Sequence, residues 1–196
     1  VVNAANIAPE RMEIELFGVE RKQQGAAGGR KIGLFEKAHG GTLLIDEIAD
    51  MPMETQNKIL RVLVDQTFER VDGTTKVEVN VRVMSASSRN LLAAIEEKTF
   101  REDLYHRLNV VPIHMPPQKE RREDIIALTE HFMDRVAHTS GMPRREVGED
   151  ILAALQGYDW PGNVRQLRNV VERLLILATE DALEEIGDHH RDLTAQ

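Results

Sequence analysis

The 196-residue chain contains no cysteine, which excludes a disulfide framework, a zinc–cysteine centre and a thiolate nucleophile together. No apolar run approaches the roughly 18 residues that a membrane-spanning helix needs. The opening residues Val1-Val2-Asn3-Ala4-Ala5 carry neither a methionine nor a basic-then-apolar leader pattern. An excess of cations is missing too: 25 Lys+Arg stand against 33 Asp+Glu, a formal net charge of −8. A chain so charged is a poor non-specific binder of duplex nucleic acid. With 13 glycines and 7 prolines it is neither collagen-like nor low-complexity, and no internal repeat is visible. What is present, 41% hydrophobic and 30% charged residues, argues against wholesale disorder and suffices for the core of one domain or two small ones. A soluble, cytoplasmic globular chain without membrane partners is expected.

Val1 to Ala5 reads as strand. Residues 9–17 read as a helix, with Pro9 at its first position and Met12, Leu16 and Phe17 at helical spacing. A polar, glycine-rich loop, Arg21 to Lys31, follows, and then a helical stretch over 32–38 broken by Gly40-Gly41. Thr42 to Ile45 is a short apolar run consistent with a buried parallel strand. Residues 54–65 are helical, with Ile59, Leu60, Leu63 and Val64 on one face. Asp72-Gly73 joins two strand-like runs as a hairpin. Val81–Ser85 and Val110–His114 are two more strand candidates, separated by the charged helix 100–108. Beyond Pro116-Pro117 the pattern is all helical, over 121–138, 148–157 and 162–179. The expected architecture is an α/β portion, residues 1–116, and an all-α portion, residues 117–196.

The segment Gly40–Pro52, GGTLLIDEIADMP, carries the chemistry. An apolar strand ending in two acids places carboxylates at the carboxyl edge of a sheet, where α/β proteins bind ligands. Asp46 there suits Mg²⁺ held through water, and Glu47 suits polarising an attacking water. On these residues alone, acids that merely cap the next turn are the weightier alternative.

The wider context shifts that balance. GGTLLIDEIADMP resembles the Walker B strand of the AAA+ ATPases of the bacterial enhancer-binding class, the activators that remodel sigma-54 RNA polymerase. ELFG at Glu15–Gly18, FREDLYHRLNV at Phe100–Val110 and WPGNVRQLRN at Trp160–Asn169 are similar to the same class, in the same order. The resemblance covers essentially the whole chain and points to response regulators of the NtrC/NtrX type in two-component systems. It implies a P-loop-type parallel sheet with a helical lid, binding of ATP and Mg²⁺, and assembly into a homo-oligomeric ring. Asp46 is then the Mg²⁺-associated acid and Glu47 the catalytic glutamate, with Asn3 the asparagine that pairs with that glutamate and switches it. Ser87 and Ser88 fall at the sensor I position, where Thr-Asn is usual; the hydroxyl is kept and the amide replaced. Arg101 and Arg107 match arginine fingers supplied to a neighbouring subunit, and Arg165 matches sensor II of the lid. A guanidinium fork neutralises charge spread over phosphate oxygens, which gives such arginines their purpose. Without that resemblance, Arg101 and Arg107 read as part of a solvated helix laced with Glu102 and Asp103.

Two departures from the class stand out. No G-x-x-x-x-G-K-[ST] occurs; the class places this P-loop upstream of the residue matching Asn3. Its amides and lysine hold the β/γ-phosphates, so the chain alone is expected to hydrolyse ATP negligibly. The loop after ELFG, where the class has GAFTGA, reads RKQQGAAGGRK, without the Phe-Thr tip that touches the sigma factor. Contact with sigma-54 polymerase is therefore expected to be weak or absent. DNA contact is expected only through another domain. The rival expectation is a non-catalytic regulatory or oligomerisation module that represses or scaffolds. His131 and His138 lack metal-ligand spacing, and His189-His190 sit in an acidic tail; both pairs read as packed or solvated.

Overall fold

The computed structural model describes residues 1–20, 30–141 and 147–177. The chain divides into two compact units, Val1–Pro112 and Ile113–Gln196.

The first unit is built on a parallel three-stranded sheet of β1 (Val2–Asn3), β4 (Thr42–Asp46) and β7 (Arg82–Ser85), ordered β1-β4-β7. Val2 pairs with Ile45 and Asn3 with Asp46, while Thr42 to Ile45 pair with Arg82 to Ser85. β4 alternates: Leu43 and Ile45 are buried, whereas Leu44 is half-buried opposite Met84, which is 48% exposed. The apolar run therefore belongs to a strand with one fully covered face rather than two.

Helix α1 (Pro9–Phe17) starts at its proline, carries Glu10 in the first turn, and buries Met12, Leu16 and Phe17. It ends where Gly18, at φ 78°, turns into β2 (Gly18–Val19), antiparallel to β3 (Lys31–Ile32). A Cβ on Gly18 would lie 2.2 Å from the Lys31 carbonyl oxygen, so only glycine lets these backbones approach. The short helix α2 (Leu34–Lys37) supplies Phe35. Its ring stacks on Phe17 with centroids 5.5 Å apart, and Phe68 tilts against both. Phe68 lies on β5 (Thr67–Glu69), which forms a hairpin with β6 (Lys76–Glu78) in the register Phe68↔Val77.

Helix α3 (Met53–Asp65) buries Thr55, Gln56, Ile59 and Val62. The stripe differs from the expected one: Val64 is 57% exposed, and the amide of Gln56 takes a place in the core. Helices α4 (Leu91–Glu96) and α5 (Glu102–Leu108) complete this unit. Val110–His114, expected as a strand, lies in no ladder, and Val110, Val111 and Ile113 are 74–77% exposed. A strand is made by a pairing neighbour; the Val110 N–H turns back to the Leu108 carbonyl at 2.9 Å instead, no described strand pairs with this segment, and Pro112 removes a donor.

The second unit contains α6 (Asp124–Ser140), α7 (Glu149–Gly157) and α8 (Asn163–Leu177). Ile125, Phe132, Met133, Leu155, Leu167 and Val171 pack around Trp160. The Trp160 indole N–H is satisfied by the Leu155 carbonyl at 2.7 Å. His131 and His138 are exposed on α6. None of the described helices is long and apolar enough to cross a membrane.

A half-buried ion pair ties α2 to the β5–β6 hairpin. Arg70, 5% exposed, donates through Nε (3.1 Å) and Nη2 (2.5 Å) to Glu36, which also accepts from Arg30 at 2.7 Å. Burial pushes the Glu36 carboxyl up, but the hydrogen bonds from Arg70 and Arg30 outweigh it and hold the group below its ordinary 4.5. Because the folded-state value is depressed, this contribution is present above about pH 4.5 and is lost as pH falls through the folded value. Arg70→Met should cost about 2 kcal/mol near neutral pH. Urea titrations should show the gap from the parent chain closing as pH falls below the ordinary glutamate value and Glu36 takes up its proton.

Candidate active site

Parallel pairing in register brings Asn3, the last residue of β1, beside Asp46, the last residue of β4. The Asn3 amide donates to Asp46 Oδ2 at 2.9 Å, and the Glu47 N–H donates to Asp46 Oδ1 at 3.1 Å. Since a carboxylate only accepts, the Asn3 nitrogen must face it, which leaves Asn3 Oδ1 buried without a hydrogen-bond partner. An orphaned carbonyl oxygen next to a carboxylate is a donor set for a hard cation with its water shell, so the pair fits Mg²⁺. No group of three or more acidic or histidine side chains among the described residues could hold a metal. A Mg²⁺ here would accordingly keep most of its waters or take phosphate oxygens.

Glu47 stands in the left-handed region at φ 52°, a strained conformation for a non-glycine residue and one concentrated at functional sites. Its carboxylate does not meet Asn3, as the resemblance implied; it accepts from the Ser88 hydroxyl at 2.9 Å and the Ser88 N–H at 3.1 Å. Ser87 closes on its own loop, its hydroxyl donating to the Arg89 carbonyl at 3.1 Å. Asn90 then caps α4 by accepting from the N–H groups of Leu92 and Ala93.

The arginines lie elsewhere. Arg101, at the N-cap of α5, forks onto Asp103 through Nε (2.9 Å) and Nη2 (2.6 Å). The hydrogen bond from Arg101 is the main cause that holds the Asp103 carboxyl below its usual value. Arg107 donates to the Leu63 carbonyl at 3.0 Å. Arg165 is exposed in the first turn of α8, with no ion pair among the described residues. Neither Arg101 nor Arg107 bonds to Asp46 or Glu47.

One residue that patterning missed joins these pieces. Fully buried Gln56 donates to the carbonyls of Met51 (2.8 Å) and Thr99 (3.0 Å) and accepts from the Arg101 N–H at 2.9 Å. It fixes the start of α5, and so Arg101, against the turn that follows Glu47. A polar residue inside the stripe of α3 was the available signal.

Residues 1–114 match the sigma-54 interaction domain, and residues 119–190 match the AAA+ ATPase lid domain. The chain belongs to the sigma-54 interaction domain family. Its sheet and helical unit are the AAA+ α/β fold and lid of that family. The chain is 59% identical to the nitrogen assimilation regulatory protein NtrX of Azorhizobium caulinodans over 186 residues, 95% of this chain and 40% of that protein. It is 45% identical over 177 residues to the DNA-binding transcriptional regulator NtrC of Escherichia coli K12, 90% of this chain and 38% of that protein. The crystal structure of NtrX from Brucella abortus in complex with ATP superposes with a TM-score of 0.84 at 58% identity, covering 92% of this chain and 39% of that one. The chain thus spans about two fifths of these relatives.

The Asn3–Asp46 contact of this sigma-54 interaction domain yields a direct check. Asn3→Asp would set two carboxylates side by side, and should destabilise the chain by about 1 kcal/mol at neutral pH. Urea unfolding of the variant and the parent chain at neutral pH measures the difference.

Proposed function

We propose that this chain is the central ATPase segment of a sigma-54-dependent, two-component transcriptional regulator acting in the cytoplasm. The observation that carries the reading is the carboxyl-edge cluster: Asp46 held by Asn3 in register, with Glu47 on the strained turn beyond it. Asp46 and the free oxygen of Asn3 would hold Mg²⁺, and Glu47 would accept a proton from the attacking water. Bound Mg-ATP supplies the γ-phosphoryl group that is transferred to water. Ser87 and Ser88 match the sensor I position, with Ser88 bonded to Glu47 at that edge, and Arg165 matches the sensor II position of the lid, for contact with nucleotide phosphate. Arg101 and Arg107 would serve the nucleotide of an adjacent copy in a homo-oligomeric ring, which makes hydrolysis depend on assembly.

Remodelling of sigma-54 polymerase would use the loop RKQQGAAGGRK, whose residues 21–29 lie outside the described residues. Its Gly/Ala/Gln composition lacks an aromatic anchor for an interface, which supports weak activation at most. DNA contact belongs to another domain.

The test is Mg-ATP turnover. The full-length gene product should hydrolyse ATP, and Glu47→Gln should slow it at least about 100-fold. The 196-residue chain, having no G-x-x-x-x-G-K-[ST], should turn over negligibly. Robust Glu47-dependent hydrolysis by the chain alone, or full activity in Glu47→Gln, would overturn the reading.

A further inference from the structure

Arg101 is anchored by its backbone and loose at its side chain. Its N–H donates to Gln56 Oε1 at 2.9 Å, and its carbonyl accepts from the Tyr105 N–H at 3.1 Å. Its guanidinium rests only on Asp103, in a solvent-exposed pair. Gln56 is fully buried on α3 and spends both donors of its amide, Nε2 reaching the carbonyls of Met51 at 2.8 Å and Thr99 at 3.0 Å. Met51 ends the turn that leaves Glu47, its N–H donating to the Ile48 carbonyl at 3.2 Å. Thr99 leads through buried Phe100 into α5. An apolar side chain would fill this space without the desolvation cost of a buried amide. What the amide adds is a fixed spacing between the two loops.

We propose that Gln56 is a positioning residue that acts for the nucleotide of the adjacent copy, by setting where Arg101 stands, and not for the cleft of its own subunit. The inference rests on the reading of Arg101 as an arginine supplied across a homo-oligomeric ring. The carboxylate edge is held by contacts that do not involve Gln56: Asp46 by Asn3 and the Glu47 N–H, and Glu47 by Ser88. It stands when Gln56 is replaced. The start of α5 has less to hold it, because Arg101 at its N-cap makes no side-chain capping bond. Without Gln56 the Arg101 N–H loses its partner and the helix start is released from α3. A guanidinium displaced by about 1 Å loses its aim at a phosphate oxygen, and a misplacement of that size can cost about 100-fold in rate. Arg107 is insulated from this loss, since it bonds directly to the Leu63 carbonyl of α3 at 3.0 Å.

Mixing of subunits decides it. In the full-length gene product, Gln56→Met should lower kcat for ATP at least about 10-fold and leave KM within about twofold, because its own cleft is intact. Glu47→Gln is the complementary variant, with a disabled cleft and a well-placed arginine. Co-assembled in equal amounts, the two set a Gln56→Met cleft against a Glu47→Gln arginine at about one interface in four, and turnover should recover to about a quarter of the parent rate. Arg101→Ala mixed with Glu47→Gln is the control and should recover likewise. Gln56→Glu, which burial holds as the neutral acid, keeps the acceptor and one donor. Its kcat should lie between those of the parent and Gln56→Met, with recovery in the same mixture, and it carries the test if Gln56→Met does not fold. Recovery in the control but not in the Gln56 mixtures overturns the proposal, as does a parental kcat in Gln56→Met. A control that does not recover overturns it through the reading beneath it, which tells the two failures apart.

Discussion

The in-register parallel pairing of β1 with β4 is the constraint on which the site depends. It is set by packing: Val2 is 6% exposed and its partner Ile45 is fully buried. A slip of one residue would turn Val2 or Ile45 away from the core, because side chains alternate between faces with a period of two. Asn3 and Asp46 are therefore brought together by the apolar residues that precede them and not by their own attraction. One hydrogen bond between partly buried polar groups contributes only about 1 kcal/mol, whereas burying two branched side chains contributes several times that. The chemistry is positioned by the core.

Helix α3 extends this positioning to the arginines. It begins seven residues after Asp46, at Met53, and its buried Gln56 ties together Met51, Thr99 and Arg101. Farther along the same helix the Leu63 carbonyl receives Arg107. A buried amide is costly if a partner is lost, so Gln56 resists any movement of one segment without the other two. The carboxylates and the arginines of this unit are thus referenced to one rigid rod.

How legible this was depended on whether a feature was local. Pro9 at the start of α1, the Asp72-Gly73 hairpin and the Thr42–Asp46 strand ending in acids each carry their signal within a few residues, and each formed. Val110–His114 has the composition of a strand, but a strand is decided by its partner, which composition does not encode. The stripe of α3 was displaced because Gln56 is buried through three hydrogen bonds that only the tertiary fold supplies. The Arg70–Glu36 pair links residues 34 positions apart and left no periodic trace. At the site, the approach of Asp46 and Glu47 to the sheet edge was readable from the apolar run that ends in two acids. The exchange of partners, Asn3 to Asp46 and Glu47 to Ser88, was not, because it depends on sub-ångström placement of neighbouring strand ends.

The distribution of charge completes the argument. Among the described residues Asp46 and Glu47 bond to an amide, a hydroxyl and backbone N–H groups, and to no lysine or arginine. Two adjacent carboxylates without a cation are electrostatically incomplete, which favours the arrival of a divalent ion. The arginines, conversely, rest on partners that hold them weakly. The Arg101–Asp103 pair has side chains 31% and 50% exposed, and pairs so solvated contribute between nothing and about 1 kcal/mol. Arg107 gives up only a neutral carbonyl. A phosphate carrying several negative charges outcompetes either partner. The pairing of Arg101 that reads as a solvated surface helix is therefore compatible with a finger, since the bonds that hold it at rest are cheap enough to exchange.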